Sequence, residues 1–487
     1  MISGVETAIG LEVHVQLRTR TKLFCGCPVD VGAPPNSCVC PVCLGLPGAL
    51  PTTNEEAVRL AIRAALAFGF FVEPTSEFVR KQYFYPDLPK GYQITQYAHP
   101  LARDGGLRLP ESGGGRSVRL RRLQLEEDAG KSNHDLFEEM TALDFNRSGV
   151  PLIEIVTEPE IRTPGEARAF LVRLRQVLEH YACVSDCNME EGSLRVDANV
   201  SVRGSEQAAP PGKVEVKNLN SFGNVERALA FEERRLSARV REGCSPERET
   251  RRYDASSRET RPLRTKEEIL DYRYLPEPDL PLLRLSEANI SSCGVGLPPP
   301  PDEIETGLVE RYGLSRYDAS QLATRPARAA YLEAAVGDGD GEVARTAAHI
   351  VIGDLAAELN RQRGGSEADL LRPETLGRLA RLRTSGTLSS TTASVALGLL
   401  LRMERATPGD LDDVVRSEGL SQIGDSAELE SWIGGVLREN PEEVARFRAG
   451  ESRLLGYLMG EVMRASGGRA EPQRARRLLE RALDSQK

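Results

Sequence analysis

A chain of 487 residues is too long for a single hydrophobic core, so about two to four domains are expected. Its 40% hydrophobic and 28% charged residues are ordinary for a water-soluble globular protein, no apolar run is long enough to cross a bilayer, and Met1 is not followed by a basic and apolar leader, so a cytoplasmic setting is expected. The formal net charge of -9 excludes a chain that coats nucleic acid non-specifically, while leaving room for a local basic site.

In chain order, Ala8 to Leu17 alternates with period two and predicts a strand. Ile9, Leu11, Val13 and Val15 take one face, and Glu12 and His14 stand side by side on the other. A single strand histidine is usually structural, but beside a glutamate on one face it also suits a metal pair. Five of the nine cysteines crowd between Cys25 and Cys43. The pattern Cys-x-Cys followed by Cys-x-x-Cys closes a tetrahedral thiolate site, with Cys25, Cys27, Cys40 and Cys43 as ligands and Cys38 as a spare. Four protein ligands leave no open position, so this zinc is expected to support the fold and take no part in catalysis.

Asn54 to Phe68 has helical periodicity with Asn54 as N-cap. Arg80 to Gln96 mixes Pro, Gly, Tyr and Lys and is expected to be a functional loop; Asp104 to Gly115 reads as a hairpin tip. Val118 to Leu125 alternates and runs into Glu126, Glu127 and Asp128, three carboxylates that repel one another unless a cation is near. Leu152 to Val156 embeds Glu154 in an apolar run, a costly place for an unpaired charge. Pro164 to Tyr181 and Ser221 to Glu242 predict helices.

Ser193 to Arg203 is the longest alternating stretch. Leu194, Val196, Ala198, Val200 and Val202 point one way, and Arg195, Asp197 and Asn199 lie on the opposite face. Lys213 to Asn218 alternates again and presents Glu215 with Lys217. Taken alone, each polar face could simply be wet. If the five strands join one antiparallel sheet, their carboxylates and His14 converge on a Mg²⁺ site, with Arg and Lys nearby for a triphosphate. That points to phosphoryl transfer, in which a protein mainly positions groups and neutralises charge. No P-loop and no serine or cysteine nucleophile set is present, so any ammonia must come from another subunit. After the stiff Pro298 to Pro301 linker the pattern is helical, with a second boundary near Pro408 and a basic run from Arg464 to Arg477 that is either a solvated face or a grip on RNA phosphates.

Seven segments carry a resemblance that spans nearly the whole chain: Ile9 to Leu17, Val42 to Gly48, Tyr83 to Gln93, Leu125 to Lys131, Val150 to Ile155, Met189 to Arg203, and Lys217 to Phe222. They closely resemble the B-subunit family of the bacterial tRNA-dependent amidotransferases. The resemblance implies an α+β protein: an antiparallel-sheet cradle domain carrying the kinase site over residues 1–297, an all-helical domain over 298–407, and a helical tail domain over 408–487 that touches tRNA. It implies an ATP- and Mg²⁺-dependent phosphorylation of the side-chain carboxylate of Glu-tRNA(Gln) or Asp-tRNA(Asn), followed by amidation with ammonia. The amidase, or A, subunit supplies that ammonia by hydrolysing glutamine, and a small C subunit clamps the assembly. Carried onto matching positions, Glu12, His14, Glu126, Glu127 and Glu154 are metal or nucleotide groups, with Glu12, His14, Glu127 and Glu154 as the Mg²⁺ set. Arg195, Asp197, Asn199, Glu215 and Lys217 lie around the same pocket, and Lys81, Tyr83, Tyr85 and Lys90 line its mouth. Leu275 replaces the family's usual Phe, and Val79 and Gln82 alter the approach to Tyr83. The competing expectations are an ATP-dependent ligase of small carboxylates and a non-catalytic, zinc-stabilised tRNA-binding subunit.

Overall fold

The computed structural model describes residues 4–30, 32–134, 136–137, 139–204, 212–265, 272–362, 364–403, 405–422 and 426–484. The chain divides into two compact units after Pro300.

Sixteen strands, all in the first unit, follow in chain order among the described residues: β1 (Val5–Gln16), β2 (Phe71–Val72), β3 (Thr75–Ser76), β4 (Val79–Gln82), β5 (Tyr92–Thr95), β6 (Ala102–Arg108), β7 (Ser117–Glu127) and β8 (Lys131–Asn133). The second half comprises β9 (Ala142–Asp144), β10 (Pro151–Thr157), β11 (Leu194–Gly204), β12 (Val214–Lys217), β13 (Glu249–Asp254), β14 (Glu259–Thr265), β15 (Leu275–Pro276) and β16 (Leu283–Arg284). Nine of them form one sheet in the order β14-β13-β12-β11-β1-β10-β7-β6-β2. β1 is its middle strand, flanked by β10 and β11, both antiparallel to it.

Alternation dictates which face is which. Ile9, Leu11, Val13 and Val15 on β1, with Val196, Ala198, Val200 and Val202 on β11, are buried. On β11 that apolar face is covered by α3 (Phe222–Arg241), against which α2 (Pro164–Gln176) packs; α1 (Glu55–Ala67) lies over β6 and β7. Each of these three helices starts at the cap its sequence supplies: Asn54, Thr163 and Ser221 each accept a backbone N–H of the first turn. The opposite face of the sheet carries the polar residues.

Three expectations change here. The sheet is not wholly antiparallel, because β12 and β13 pair in parallel. The connection between them is α3, and a parallel neighbour requires such a crossover. The stretch from Arg80 to Gln96 is not all loop: β4 and β5 pair with each other, and β15 adds to β4 to make a three-stranded flap. Asp104 also lies within β6, at a left-handed φ of 58° where the pairing skips a residue, and the turn itself falls at Glu111–Gly113.

The second unit is helical among its described residues, with two separate hydrophobic clusters. One runs from Leu308 to Leu420 and the other from Leu429 to Leu483. The helix Pro408–Ser417 contributes Leu411, Val414 and Val415 to the first cluster, so the core changes between Leu420 and Leu429. No helix among the described residues is long and apolar enough to cross a membrane.

Helix packing in this unit depends on one glycine. A Cβ built on Gly377, in the helix Pro373–Thr384, would stand 2.0 Å from the backbone oxygen of Ala335 in the helix Pro326–Val336. Backbone cannot yield as a side-chain tip can, so Gly377→Ala is expected to destabilise the helical unit by about 1–3 kcal/mol. Chemical denaturation followed by circular dichroism measures this; an unchanged midpoint would contradict the close approach.

Candidate active site

The pairing of β1 assembles the site. His14 lies opposite Glu154 of β10 on one side and Arg195 of β11 on the other. Glu154 in turn lies opposite Gln124 of β7. Residues facing one another across strands share a face, so these four side chains form a row across the sheet. Glu126, two residues beyond Gln124, projects from the same face. Its Oε1 is 3.3 Å from Nε2 of His14. Ligand atoms of His14, Glu126 and Glu154 all fall within 4.8 Å of one another.

Neighbouring hydroxyl and amide groups hold this triad. The Thr95 hydroxyl donates to Glu126 at 2.9 Å, and the Gln124 amide nitrogen donates to Glu154 and, at 3.3 Å, to Thr95. Glu126 and Glu154 are only 2% and 7% exposed, which distinguishes them from a solvated acidic face. Burial opposes a charge on His14, but its hydrogen bond to Glu126 and the charges of Glu126 and Glu154 outweigh it and raise the imidazole to about 9. Burial likewise pushes Glu126 up, while the His14 hydrogen bond and charge pull it down to about 2. Glu154 has no such partner; burial, then the charge of Glu126, raises it above the usual carboxylate range.

A second tier of ion pairs frames the triad. Lys217 bonds Asp197 at 2.7 Å and Glu215 at 3.2 Å, and Thr250 donates to Glu215 at 3.0 Å. Burial works against the Lys217 ammonium, but Asp197 and Glu215 raise it above its ordinary range. Asn199 donates to Glu12 at 3.0 Å. Arg195 donates to Asp128 at 2.8 Å, and Gln16 donates to the same carboxylate at 3.0 Å. The flap closes one edge. Lys81 sits over Tyr272 at 4.8 Å and Tyr83 at 5.7 Å, Tyr85 packs edge-on against Tyr83, and Tyr97 stacks on Tyr274 at 4.1 Å.

Of the expected cation set Glu12, His14, Glu127 and Glu154, the structure brings together His14 and Glu154, and adds Glu126. Glu12 stands one step along β1 and is taken by Asn199. Glu127 points away, since successive strand residues face opposite sides. It pairs with Lys90 and accepts the Ile94 N–H at 2.9 Å. Lys90 is therefore buried with Glu127 and is not a free cation at the mouth. Gln124 and Thr95 were not singled out by sequence reasoning, and Asp128 was read only as one of three crowded carboxylates. Parity could have found Gln124, two residues before Glu126; nothing local marks Thr95.

The donor set suits a divalent cation: two carboxylates, an imidazole, and the Gln124 carbonyl oxygen, which is buried without a hydrogen-bond partner. Away from this face, Cys25, Cys27, Cys40 and Cys43 bring their sulfurs within 4.8 Å of one another. The sulfurs of Cys40 and Cys43 are 3.9 Å apart, near the edge of a tetrahedron with metal–sulfur bonds of about 2.3 Å. The Cys25 hydrogen bond, then, against burial, the Cys40 N–H and the charge of Lys22, pull the Cys43 thiol down to about 4. Lys22 is fully buried with its ammonium 3.5 Å from that sulfur. Cys38 lies outside the cluster, its N–H bound to Asn146.

A sheet cradle of this kind, followed by a helical unit, is what two family models match: the GatB/GatE catalytic domain over residues 7–291 and the GatB domain over residues 330–483. Whole-length relatives have the same extent. The B subunit of the aspartyl/glutamyl-tRNA(Asn/Gln) amidotransferase of Thermomicrobium roseum is 47% identical over 482 residues, covering 98% of this chain and 98% of the relative. That of Halorhodospira halophila is 44% identical over 480 residues, covering 98% and 99%, and that of Brevibacillus brevis is 40% identical over 484 residues, covering 99% and 100%. The chain belongs to this family of amidotransferase B subunits.

In the metal-free protein His14 is expected to titrate at about 9 in a histidine NMR titration. Glu126→Gln removes the hydrogen bond and the larger of the two charges that raise it, leaving burial and Arg195 opposed only by the charge of Glu154, so the His14 resonance should titrate clearly below its wild-type position. A His14 pKa unmoved by Glu126→Gln would contradict the ion pair. Because a metal-bound imidazole must lose this proton, divalent-cation affinity is expected to rise as pH increases toward 9.

Proposed function

We propose that this chain is the ATP-dependent subunit of a tRNA-dependent amidotransferase, acting on Glu-tRNA(Gln), Asp-tRNA(Asn) or both, in the cytoplasm. The observation that supports this best is the buried triad of His14, Glu126 and Glu154, framed by Lys217 and Arg195 and edged by Lys81 and the tyrosines. The burial of Glu126 and Glu154 weighs against a non-catalytic RNA-binding subunit, for which these carboxylates would be a solvated face.

The reaction needs no nucleophile from the protein. A side-chain carboxylate oxygen of the aminoacyl group attacks the γ-phosphorus of ATP, and ADP leaves. Ammonia then attacks the acyl carbon, and phosphate departs with the carboxylate oxygen. Mg²⁺ held by His14, Glu126 and Glu154 would supply charge neutralisation for the phosphate oxygens. Glu12, Asp197, Glu215 and Asn199 fix Lys217 and the adjoining wall. Asp128 fixes Arg195, so that both cations face the site at set positions. Lys81 stands at the rim, close enough for its charge to act on Glu126, while Tyr83 and Tyr85 shield that edge from water.

The amidase, or A, subunit and the small C subunit are the expected partners, with ammonia arriving from the amidase. The cradle, residues 1–297, takes the aminoacyl end. The tail, 408–487, touches the tRNA, with its own core from Leu429 to Leu483. Exposed Arg474, Arg476 and Arg477 on the helix Pro472–Asp484 offer phosphate contacts. The four thiolates hold one structural Zn²⁺.

Two measurements test this. The assembled complex, given glutamine, ATP, Mg²⁺ and Glu-tRNA(Gln) or Asp-tRNA(Asn), is expected to form the amide with at least one of them. Glu154→Gln and Glu126→Gln should each lower that rate by about 100-fold or more while tRNA binding persists. Amide formation at the wild-type rate in both variants would remove the triad from the mechanism. Metal analysis should find one zinc per chain, lost in Cys43→Ser and retained in Cys38→Ser; equal loss in both would place a different ligand set.

A further inference from the structure

One arginine on the working face has neither a hydrogen bond nor an ion pair among the described residues. Arg122 lies on β7 two residues before Gln124, opposite Val156 of β10 and Arg103 of β6. Parity therefore puts it on the face that holds Gln124 and Glu126. Arg103, its neighbour across the strands, has a counter-ion: Glu73 stands 2.8 Å from its guanidinium. Arg122 forms neither a side-chain hydrogen bond nor an ion pair among the described residues, and its Nε is buried and unpartnered. Its nearest described ring is that of Tyr97, 5.9 Å from the guanidinium carbon, and its charge is felt by Glu154 and Tyr274. Tyr97 is 48% exposed and stacks on Tyr274.

This arrangement is costly without a ligand. Two guanidinium groups directly opposite on neighbouring strands repel, and an unpaired buried donor forfeits its hydration. Of the other cations near the site, Lys217 is engaged by Asp197 and Glu215 and Arg195 by Asp128, while Lys81 sits over the Tyr272 and Tyr83 rings. A guanidinium near an aromatic ring, 5.9 Å from its centroid, with no described hydrogen bond of its own, can offer its N–H groups to two oxygens of one anion.

Building on the function proposed above, we propose that Arg122 is a substrate-binding residue that grips anionic oxygens of the reacting group. Those oxygens belong either to the side-chain carboxylate of the aminoacyl-tRNA or to the terminal phosphate of ATP. Both are oxyanions that a guanidinium fork binds in the same way. Tyr97 lies beside the guanidinium, and Tyr274 backs Tyr97.

Steady-state kinetics of the assembled complex separate the two sources. Arg122→Gln and Arg122→Met are compared with wild type, with Arg103→Gln as a control one strand away. Methionine keeps an unbranched apolar stem against Tyr97, so whichever of the two retains the wild-type melting temperature decides the matter. The expected result is a KM raised tenfold or more for one substrate, with the other within twofold, and partial recovery in Arg122→Lys. A rise for aminoacyl-tRNA assigns the carboxylate; a rise for ATP assigns the phosphate. Both KM values and kcat within twofold of wild type would overturn the proposal, as would equal shifts in Arg103→Gln. These failures differ from failure of the underlying function, in which the wild-type complex itself would show no ATP-dependent amide formation.

Discussion

Everything at the site follows from one constraint: β1 is the central strand and pairs antiparallel on both sides. That pairing sets His14 between Glu154 and Arg195, and so between a buried acid and a fixed cation. A slip of one residue in either pairing would turn these side chains into the apolar face and bring Val13 or Val15 outward. The register is held because the opposite face is closed by apolar packing: Ile9, Val13 and Val15 are wholly buried, as are Val200 and Val202. The helices that cover the core thus position the chemistry without touching it.

Charge within the site is arranged in layers. The innermost groups are buried and strongly coupled, His14 with Glu126, and they compensate one another. Around them Lys217 and Arg195 are each tied to carboxylates, which fixes their direction and tempers their charge. Glu154 and the carbonyl of Gln124 remain short of partners, as does Arg122. Unsatisfied groups of opposite character on one buried face mark where ligands complete the structure. The cysteine cluster belongs to a different layer: Cys43 leans on Lys22 and Gly149, which also borders Glu127, so the cysteine knuckle braces the sheet from behind the working face.

Much of this was legible in the sequence, and the part that was not has physical causes. Alternation exposed β1, β11 and β12, because a strand with one buried and one polar face writes a period of two. The spacing of Cys25, Cys27, Cys40 and Cys43 marked a tetrahedral site, and the structure brings those four sulfurs together. Glu127 was misplaced because composition groups consecutive acids that a strand sends to opposite faces. β4 and β5 were hidden because their Tyr, Lys and Gln lack an apolar rhythm and a turn rich in Pro and Gly joins them. The parallel pairing of β12 with β13 depends on where α3 returns the chain, which no local pattern encodes. Gln124 and Arg122 looked like wet-face residues until the register placed them beside Glu154 and Tyr97.

The central claim is that this face transfers a phosphoryl group to a side-chain carboxylate before ammonia arrives. Glu-tRNA labelled with ¹⁸O in the side-chain carboxylate tests it most directly, with the inorganic phosphate from one turnover of the complete complex examined by mass spectrometry or ³¹P NMR. One labelled oxygen in the phosphate for each amide formed is the predicted result. Phosphate free of label, with amide still produced, would contradict it.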